Sequence, residues 1–317
     1  MAKSIRTQIA IVLPAYNEST TIAACIREFH RVLPGAQIIV VDNNSSDDTG
    51  SVALQTLQFS GISGCVLSER RQGKANAVRR AFLEVDADVY VMADADLTYP
   101  VDILPKLLDP VLSGQADMVV GDRLSSGAYA RENKRPFHGF GNSLVAWMVN
   151  SLFYARLTDI MSGYRVMTRQ FVENYPCLVE GFELETDLTL YAVNGRFRVV
   201  ELPVHYQDRP AGSYSKLNTF TDGAKVIFAI AQILRYYKPF KFFGCLSLLF
   251  LLSGLVAAVP VLTDWVRERY IHHLPLAILA TGLELVAVLS LAIGLILDSA
   301  AYQQRKELEI NLRRTGR

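Results

Sequence analysis

Cysteine is scarce in this sequence, and its four copies are widely separated. They stand at Cys25, Cys65, Cys177 and Cys245, with no Cys-x-x-Cys spacing between any two of them. Structural zinc sites and disulfide frameworks are recognised by closely and regularly spaced cysteines, so this pattern favours neither. We interpret the four residues as isolated thiols of a protein that stays in a reducing compartment.

An excess of charge of either sign is also missing. The 317 residues have a formal net charge of +1, which provides no general attraction to nucleic acid. No Gly-x-Gly-x-x-Gly follows the first predicted strand, and no Gly-Lys-Ser or Gly-Lys-Thr phosphate loop occurs. These absences argue against a dinucleotide-binding fingerprint and against a P-loop ATPase. No apolar signal stretch precedes the first predicted strand, so we expect no cleaved signal peptide.

The sequence does contain two long apolar runs near its C-terminus. Residues 242–263 include no charged side chain, and residues 274–297 include only Glu284. About 20 apolar residues in a helix cross the ~30 Å hydrocarbon core of a membrane. The sequence therefore predicts transmembrane helices at 241–263 and 274–297, joined by a short connection. Such a hairpin offers lateral contacts between helices, so we also expect a homo-oligomer.

Basic residues predict the orientation of this hairpin. The short connection carries Arg267 and Arg269 together with two acids, whereas more basic residues lie outside the hairpin. The outer basic residues are Arg235, Lys238, Lys241, Arg305, Lys306, Arg313, Arg314 and Arg317. Cytoplasmic segments of membrane proteins carry the excess of lysine and arginine. We therefore predict an integral protein of the plasma or inner membrane, with both termini and a basic tail, 298–317, in the cytoplasm.

A helix at the membrane surface is predicted over 221–240, just before the first span. Apolar side chains recur there at helical spacing, with basic residues between them. The apolar residues are Val226, Ile227, Ile230, Ile233, Leu234 and Tyr237. This pattern is typical of an amphipathic helix lying on the inner leaflet. A helix packed on the protein core is the alternative.

Residues 1–220 have the pattern of a globular domain in which strands and helices alternate. Short apolar runs rich in β-branched residues predict strands at 8–13, 37–41, 64–67, 88–93 and 117–120. Helices are predicted between them, for example at 73–85. This alternation is typical of a mostly parallel sheet with helices on both faces. We therefore predict a cytoplasmic α/β domain of the Rossmann-like, nucleotide-binding kind.

Two acids close the fourth predicted strand. Asp94 and Asp96 follow the apolar run at 88–93. Open α/β sheets bind ligands at the carboxyl ends of their strands. Two carboxylates in that position suit a Mg²⁺ or Mn²⁺ ion that also holds a diphosphate. Solvated carboxylates at the end of a strand are the simpler alternative.

Further motifs follow the order found in a known family. Four segments resemble the donor-site motifs of family-two inverting glycosyltransferases with the GT-A fold: 13–18 (LPAYNE), 40–49 (VVDNNSSDDT), 73–77 (GKANA) and 93–96 (ADAD). Three more resemble its polyprenyl-phosphate branch, which is similar to dolichol-phosphate mannose synthase: 121–123 (GDR), 159–165 (DIMSGYR) and 209–216 (RPAGSYSK). The resemblance covers about residues 8–240. It implies transfer of a single sugar from a nucleotide-sugar to a polyprenyl phosphate, with inversion and with a divalent metal.

The resemblance implies roles for residues that bind the nucleotide. Pro14, Tyr16 and Glu18 would line the base and the ribose. Asp42 would contact the base, and Lys74 would belong to the same nucleotide-sugar site. The loop at 43–46 departs from that of the mannose enzymes, which favours a UDP-hexose such as UDP-glucose or UDP-N-acetylglucosamine over GDP-mannose.

The resemblance also implies a metal site and catalytic residues. Asp94 and Asp96 would hold Mg²⁺ or Mn²⁺ on the donor diphosphate. Relatives in this branch often carry Gln two residues after the second acid, where this chain has Thr98, so water or the diphosphate would complete the site. Glu185 and Asp187 lie where sugar-acceptor relatives place a catalytic base. They are candidate catalytic residues, and ordinary acids at a helix start are the alternative.

A set of basic and polar residues is expected to meet the phosphates of the acceptor. Arginine and lysine allow two anionic phosphates to approach each other, and arginine favours bidentate contacts. The candidates are Arg123, Arg131, Arg135, Arg209, Ser215 and Lys216. Arg123 is also a candidate catalytic residue. A solvated run of charges is the alternative for the segment from 131 to 135.

Two other functions are compatible with parts of the sequence. Residues 232–236 (QILRY) resemble the Gln-x-x-Arg-Trp motif of processive polysaccharide synthases, with Tyr in place of Trp. Two predicted spans are too few to form an export channel within one chain, which weighs against such a synthase. A non-catalytic nucleotide-sugar-binding scaffold is the other alternative, and the intact pair of Asp94 and Asp96 weighs against it.

Overall fold

The computed structural model describes residues 7–125, 138–179, 183–205 and 231–315. The chain divides into two compact units, Met1–Thr219 with Leu312–Arg317 and Phe220–Asn311. The first unit contains the sheet, and the second contains the long apolar helices.

The first unit is built on one seven-stranded sheet. Its strands are β1 Ile9–Ala15, β2 Gln37–Asp42, β3 Gly64–Ser68, β4 Val89–Met92, β5 Met118–Asp122, β6 Arg165–Thr168 and β7 Val199–Pro203. Their order across the sheet is β3-β2-β1-β4-β6-β5-β7. Strand β6 runs antiparallel to both of its neighbours, and the other pairings of the described sheet are parallel. The predicted mostly parallel sheet is confirmed.

The helices of this unit cover both faces of the sheet. They are α1 Ile22–Val32, α2 Thr49–Phe59, α3 Lys74–Glu84, α4 Leu104–Leu112, α5 His138–Phe153, α6 Arg169–Asn174 and α7 Leu184–Asn194. Apolar residues of β1 alternate between two cores, because successive side chains of a strand point to opposite faces. Ile11 and Leu13 pack with α1, α2 and α4, whereas Ala10 and Val12 pack with α3, α6 and α7.

The parallel strands determine where the site lies. Strands β1, β2 and β4 run side by side in the same direction, so their carboxyl ends reach one edge of the sheet. Ala15 pairs with Asp42 at that edge, and Asp94 follows two residues after the end of β4. The loops after these strands therefore carry the predicted donor-site motifs to the same edge.

The second unit contains α8 Pro239–Glu268 and α9 Leu274–Thr315. Both helices are long and apolar enough to cross a membrane, and their most apolar windows are only 6% and 17% buried. The predicted spans at 241–263 and 274–297 lie within them. The segment predicted as a basic tail is helical as far as residue 315, as a continuation of α9. The predicted helix at 221–240 lies largely outside the described residues, which are helical at 231–237.

Small residues bring α8 and α9 close together. A Cβ atom placed on Gly294 would lie 2.9 Å from Cβ of Phe243, and one on Gly254 would lie 2.7 Å from Oε1 of Glu284. The Ser247 hydroxyl donates a hydrogen bond to the Ala287 carbonyl, at 2.8 Å. The Glu284 carboxyl therefore lies against the backbone of the facing helix. Small residues at such contacts are typical of helix pairs in membranes.

Candidate active site

The site begins at the turn that follows β4. Asp96 is buried, and its Oδ1 accepts hydrogen bonds from the Thr98 backbone N–H at 3.2 Å and the Thr98 hydroxyl at 2.6 Å. Leu97, between them, has a φ of 62°, a left-handed conformation that is uncommon for such a residue. The tight turn therefore fixes the carboxylate of Asp96. Thr98 orients the second acid of the pair by these two hydrogen bonds.

The first acid of the pair is held by a lysine from a different element. Helix α3 begins at Lys74, directly after Gly73, whose φ of 132° is poorly accessible to other residues. The Gly73 N–H donates to Oδ1 of Asn43 at 2.7 Å, which ties the helix start to the loop after β2. The Lys74 ammonium lies 2.5 Å from Oδ1 of Asp94 and 2.5 Å from Oε1 of Glu185.

This ion triad is mostly removed from solvent. The side chains of Lys74, Asp94 and Glu185 are 11%, 28% and 8% exposed. Burial by itself would lower the pKa of the Lys74 ammonium, but the two carboxylates outweigh it and hold that pKa above its ordinary value. Lys74 is therefore a charged group that joins α3, the turn after β4 and α7.

The backbone of Gly163 packs directly beside the triad. Its N–H donates to the Tyr99 hydroxyl at 2.9 Å. A Cβ atom at this position would lie 2.8 Å from Nζ of Lys74, 3.1 Å from Oδ2 of Asp94 and 3.3 Å from the Tyr99 hydroxyl. Burial raises the pKa of the Tyr99 phenol above its ordinary value. A glycine is therefore needed for the backbone to approach the triad this closely.

Arg165 connects the Gly163 loop to α7. It is fully buried, and it donates to the carbonyls of Ser162 at 2.9 Å, Ile160 at 2.9 Å and Glu185 at 2.7 Å. It also donates to the Thr189 hydroxyl at 2.9 Å. Burial lowers the pKa of its guanidinium below the ordinary value. One side chain thus fixes both the loop that carries Gly163 and the helix turn that carries Glu185.

Arg123, which follows β5, is also held in place, by an acid of the loop that carries Gly163. Its Nε lies 2.7 Å from Oδ2 of Asp159, and its Nη2 lies 3.0 Å from Oδ1. The Asp159 side chain is 1% exposed. Glu201 on β7 accepts hydrogen bonds from the backbone N–H groups of Thr158 and Asp159. Such a bidentate pair determines the plane of the guanidinium.

The loops after β1 and β2 are linked by side-chain hydrogen bonds. Asn17 has a φ of 55°, and its Oδ1 accepts from the Ser46 N–H at 2.8 Å. The Asn17 N–H donates to the hydroxyl of Ser45, and the Ser45 N–H donates to Oδ1 of Asp42. The Glu18 N–H donates to the Thr49 hydroxyl at 2.8 Å. These bonds join the two loops into one polar edge beside the carboxyl ends of the strands.

The residues predicted to bind the base and ribose all belong to this edge. Pro14, Glu18 and Asp42 are half-buried, and Tyr16 is 38% exposed. An aromatic ring with this exposure offers a face on which a base can stack. The placement agrees with the predicted roles, which remain predictions.

The structure separates the two candidate catalytic acids on α7. Glu185 contacts Lys74, whereas Oδ2 of Asp187 accepts a hydrogen bond from the Tyr175 hydroxyl at 2.7 Å. Residues two apart on a helix do not share a face. Glu185 therefore joins Asp94 in one cluster, and Asp187 packs toward Tyr175.

Several predicted acceptor residues lie outside the described residues. They are Arg131, Arg135, Arg209, Ser215 and Lys216. Arg123 is described, in its pair with Asp159. Their roles in binding phosphate remain predictions.

The structure adds site residues that received no role from the sequence. Tyr99, Asp159, Gly163, Arg165 and Glu201 all hold the triad or Arg123 in place. Three of them belong to the segment 159–165, whose resemblance to the polyprenyl-phosphate branch was the available signal. Tyr99 and Glu201 stand in no such motif.

Asp94 and Asp96 form a donor set that fits a divalent cation. Both supply hard carboxylate oxygens from the same turn, and Thr98 fixes the direction of Asp96. Within the described ranges, no group of three or more His, Cys, Asp or Glu side chains is placed to hold a metal ion. Mg²⁺ is commonly held by one or two carboxylates, with substrate phosphates and water as the other ligands. The pair therefore suits a metal that arrives with a diphosphate.

Known proteins are similar to this chain in fold and in sequence. The structure is similar to glucosyl-3-phosphoglycerate synthase of Mycobacterium tuberculosis, with a TM-score of 0.55 and 22% identity over 72% of this chain and 80% of that one. The crystal structures of that enzyme include a complex with Mn²⁺, UDP and phosphoglyceric acid. This likeness confirms the GT-A type of fold.

Among curated proteins, the relatives include several from Haloferax volcanii. The chain is 28% identical to the glycosyltransferase AglJ, over 95% of this chain and 96% of that protein. It is 29% identical to a dolichyl-phosphate hexose transferase, over 71% of this chain and 93% of that protein. The family model described as glycosyl transferase family 2 matches residues 10–174, which is more than half of the chain. The chain therefore belongs to glycosyl transferase family 2.

Proposed function

We propose that the protein transfers one sugar from a nucleotide-sugar to a polyprenyl phosphate, with inversion at the anomeric carbon. The observation that carries this proposal is the position of two acids at the carboxyl edge of the sheet, Asp94 paired with Lys74 and Asp96 held by Thr98. The dolichyl-phosphate hexose transferase among the relatives supports a lipid phosphate as acceptor. Two helices able to cross a membrane support an acceptor that resides there.

On the donor side, Asp94 and Asp96 would hold Mg²⁺ or Mn²⁺ against the diphosphate. When bound, such an ion supplies electrostatic stabilisation of the charge that develops on the leaving diphosphate. Tyr16 and Glu18 would contact the nucleoside together with Pro14 and Asp42. We favour a UDP-hexose as donor, in keeping with the sequence of the loop at 43–46, with GDP-mannose as the alternative.

On the acceptor side, an oxygen of the lipid phosphate attacks the anomeric carbon while the bond from that carbon to the diphosphate oxygen breaks. A phosphate monoester is already ionised at neutral pH, so the reaction needs little help from a general base. The main obstacle is repulsion between two anionic phosphates, which arginines can offset. Arg123, oriented by Asp159, would serve in this way.

The contacts of Glu185 suggest a role in orienting Lys74. Its carboxylate lies 2.5 Å from the Lys74 ammonium. We propose that it keeps this ammonium aimed at the donor site, and that a base at Asp187 is not required for a phosphate acceptor. The helices α8 and α9 would anchor the enzyme as a hairpin, with both termini in the cytoplasm and with contacts to further copies of the chain.

A transfer assay tests the proposal. Purified full-length protein is incubated with Mn²⁺, polyprenyl phosphate and a panel of radiolabelled nucleotide-sugars, and the label in the organic phase is counted. We expect label from one donor only, its loss on addition of EDTA, and a fall of about 10³-fold for Asp96→Asn, because electrostatic groups of this kind contribute that much. Asp102→Asn is the matched control, since Asp102 is exposed and pairs only with surface Arg31 in the described contacts. Full activity of Asp96→Asn would contradict the proposed metal site.

A further inference from the structure

Lys74 binds the same carboxylate that the proposed metal site needs. Its ammonium lies 2.5 Å from Oδ1 of Asp94, within the turn that also carries Asp96. Asp94 is therefore a ligand for two cations, the Lys74 ammonium and the proposed divalent metal ion. An ammonium in that position repels a divalent cation at the same carboxylate.

The surroundings of Lys74 prevent it from simply moving into water. Its side chain is 11% exposed, and Gly163 closes one side of the triad. Glu185 is the second carboxylate on this ammonium, at 2.5 Å. Loss of one of two anionic partners is costly for a buried ammonium, so Lys74 leaves Asp94 readily only if another anion takes that place.

A nucleoside diphosphate supplies the negative charge that can replace Asp94 as a partner of Lys74. Its oxygens can bind both a divalent cation and an ammonium, as lysines do in other phosphate sites. With the diphosphate present, Lys74 can turn from Asp94 to a phosphate oxygen without losing its ion pair with Glu185. Asp94 is then available to the metal, and the repulsion between the two cations is offset.

We propose that Lys74 makes binding of the divalent cation conditional on binding of the nucleoside diphosphate. In the ligand-free site the ammonium neutralises Asp94 and weakens metal binding; with nucleotide bound it contacts the diphosphate. The inference rests on the proposed function, because it takes Asp94 and Asp96 as metal ligands. Lys74 thereby acquires a role in the order of binding, beyond its expected contact with the donor.

The test measures Mn²⁺ affinity without turnover. Full-length protein in detergent is titrated with Mn²⁺, and free Mn²⁺ is followed by electron paramagnetic resonance, alone, with UDP and with GDP. For the wild type we expect whichever of UDP and GDP binds more tightly to raise the affinity for Mn²⁺ by about 30-fold, within the usual range of coupling between sites. In Lys74→Gln, we expect Mn²⁺ alone to bind about tenfold more tightly than in the wild type, with most of the coupling lost.

Two further variants separate charge from position. Lys74→Arg keeps the positive charge and is expected to retain strong coupling. Arg80→Gln removes a positive charge from the same helix, where Arg80 pairs with Glu84 at the surface, and is expected to behave like the wild type. Circular dichroism and thermal unfolding show whether each variant is folded.

The outcomes distinguish this inference from the function on which it rests. Suppose that Mn²⁺ and nucleotide both bind to the wild type, but that nucleotide changes the Mn²⁺ affinity by less than about threefold. This result from the wild type alone overturns the role of Lys74. Unchanged coupling in folded Lys74→Gln overturns it as well, and leaves the proposed function standing. The proposed metal site itself is wrong if the wild type fails to bind Mn²⁺ even when UDP or GDP is present. It is also wrong if Asp96→Asn binds Mn²⁺ as well as the wild type does.

Discussion

At the scale of single residues, Gly163 leaves little room for a side chain beside the triad. A methyl group there would come within 2.8 Å of the Lys74 ammonium, which is the flexible end of its side chain. We therefore expect Gly163→Ala to fold normally while displacing Lys74. Because small displacements in a preorganised site are costly, kcat/KM for sugar transfer should fall by about tenfold or more.

Steady-state kinetics on the full-length enzyme, with thermal unfolding beside it, checks this prediction. Gly282→Ala is the control, since nothing lies within 4 Å of a Cβ placed there. A folded Gly163→Ala variant with the activity of the wild type would mean that sugar transfer tolerates a displaced Lys74, and the prediction would be wrong.

Arg165 makes a second prediction at this scale, on stability. Its guanidinium satisfies the carbonyls of Ile160, Ser162 and Glu185 in a fully buried position. Lysine lacks the planar guanidinium with its several N–H donors, so it leaves some of these carbonyls unpaired. We expect Arg165→Lys to lower the melting temperature in detergent by at least about 5 °C. Arg198→Lys, at an exposed ion pair with Asp117, should change it by much less; equal shifts would argue against a special role for Arg165.

The sequence was sufficient to predict some site residues and not others. Asp94 and Asp96 are adjacent to an apolar run, so local pattern places them at the end of a strand, as the structure confirms. The contact of Lys74 with Glu185 joins residues 111 positions apart, and it depends on how α3 and α7 pack on one face of the sheet. No local pattern reports such a contact. Motif resemblance suggested the two residues separately, without the ion pair.

At the scale of elements, the first five strands were predictable and the last two were not. Five predicted strands are present, with ends that differ by at most two residues. Strand β6 has only four residues, and it runs antiparallel between β4 and β5. Strand β7 is half-buried along most of its length and lacks a continuous apolar run. Short strands of this kind resemble loops in the sequence, because their pairing partners are distant.

The helix pair α8 and α9 gives a prediction at the element scale. A side chain at Gly294 would collide with Phe243, whereas one at Gly282 would meet nothing within 4 Å. We expect Gly294→Leu to separate the two helices and to lower the melting temperature in detergent by several degrees, and Gly282→Leu to have little effect. Equal melting temperatures for the two variants would contradict this packing of the pair.

At the scale of the whole molecule, one chain combines a family 2 glycosyltransferase fold with two apolar helices. The helices were predictable because membrane-crossing segments carry a long, continuous apolar signal. The full length of α9 was not predictable, because residues 298–315 are mostly polar and continue the helix beyond the apolar run.

The central claim is that one sugar is transferred to a lipid phosphate, and mass spectrometry of the organic-phase product tests it most directly. Wild-type enzyme is incubated with Mn²⁺, polyprenyl phosphate and the donor that gives label in the transfer assay. We expect a single new lipid, heavier than the acceptor by one hexose or N-acetylhexosamine residue, which mild acid hydrolyses. A ladder of lipids with increasing numbers of sugars, or a product found only in the aqueous phase, would contradict the claim.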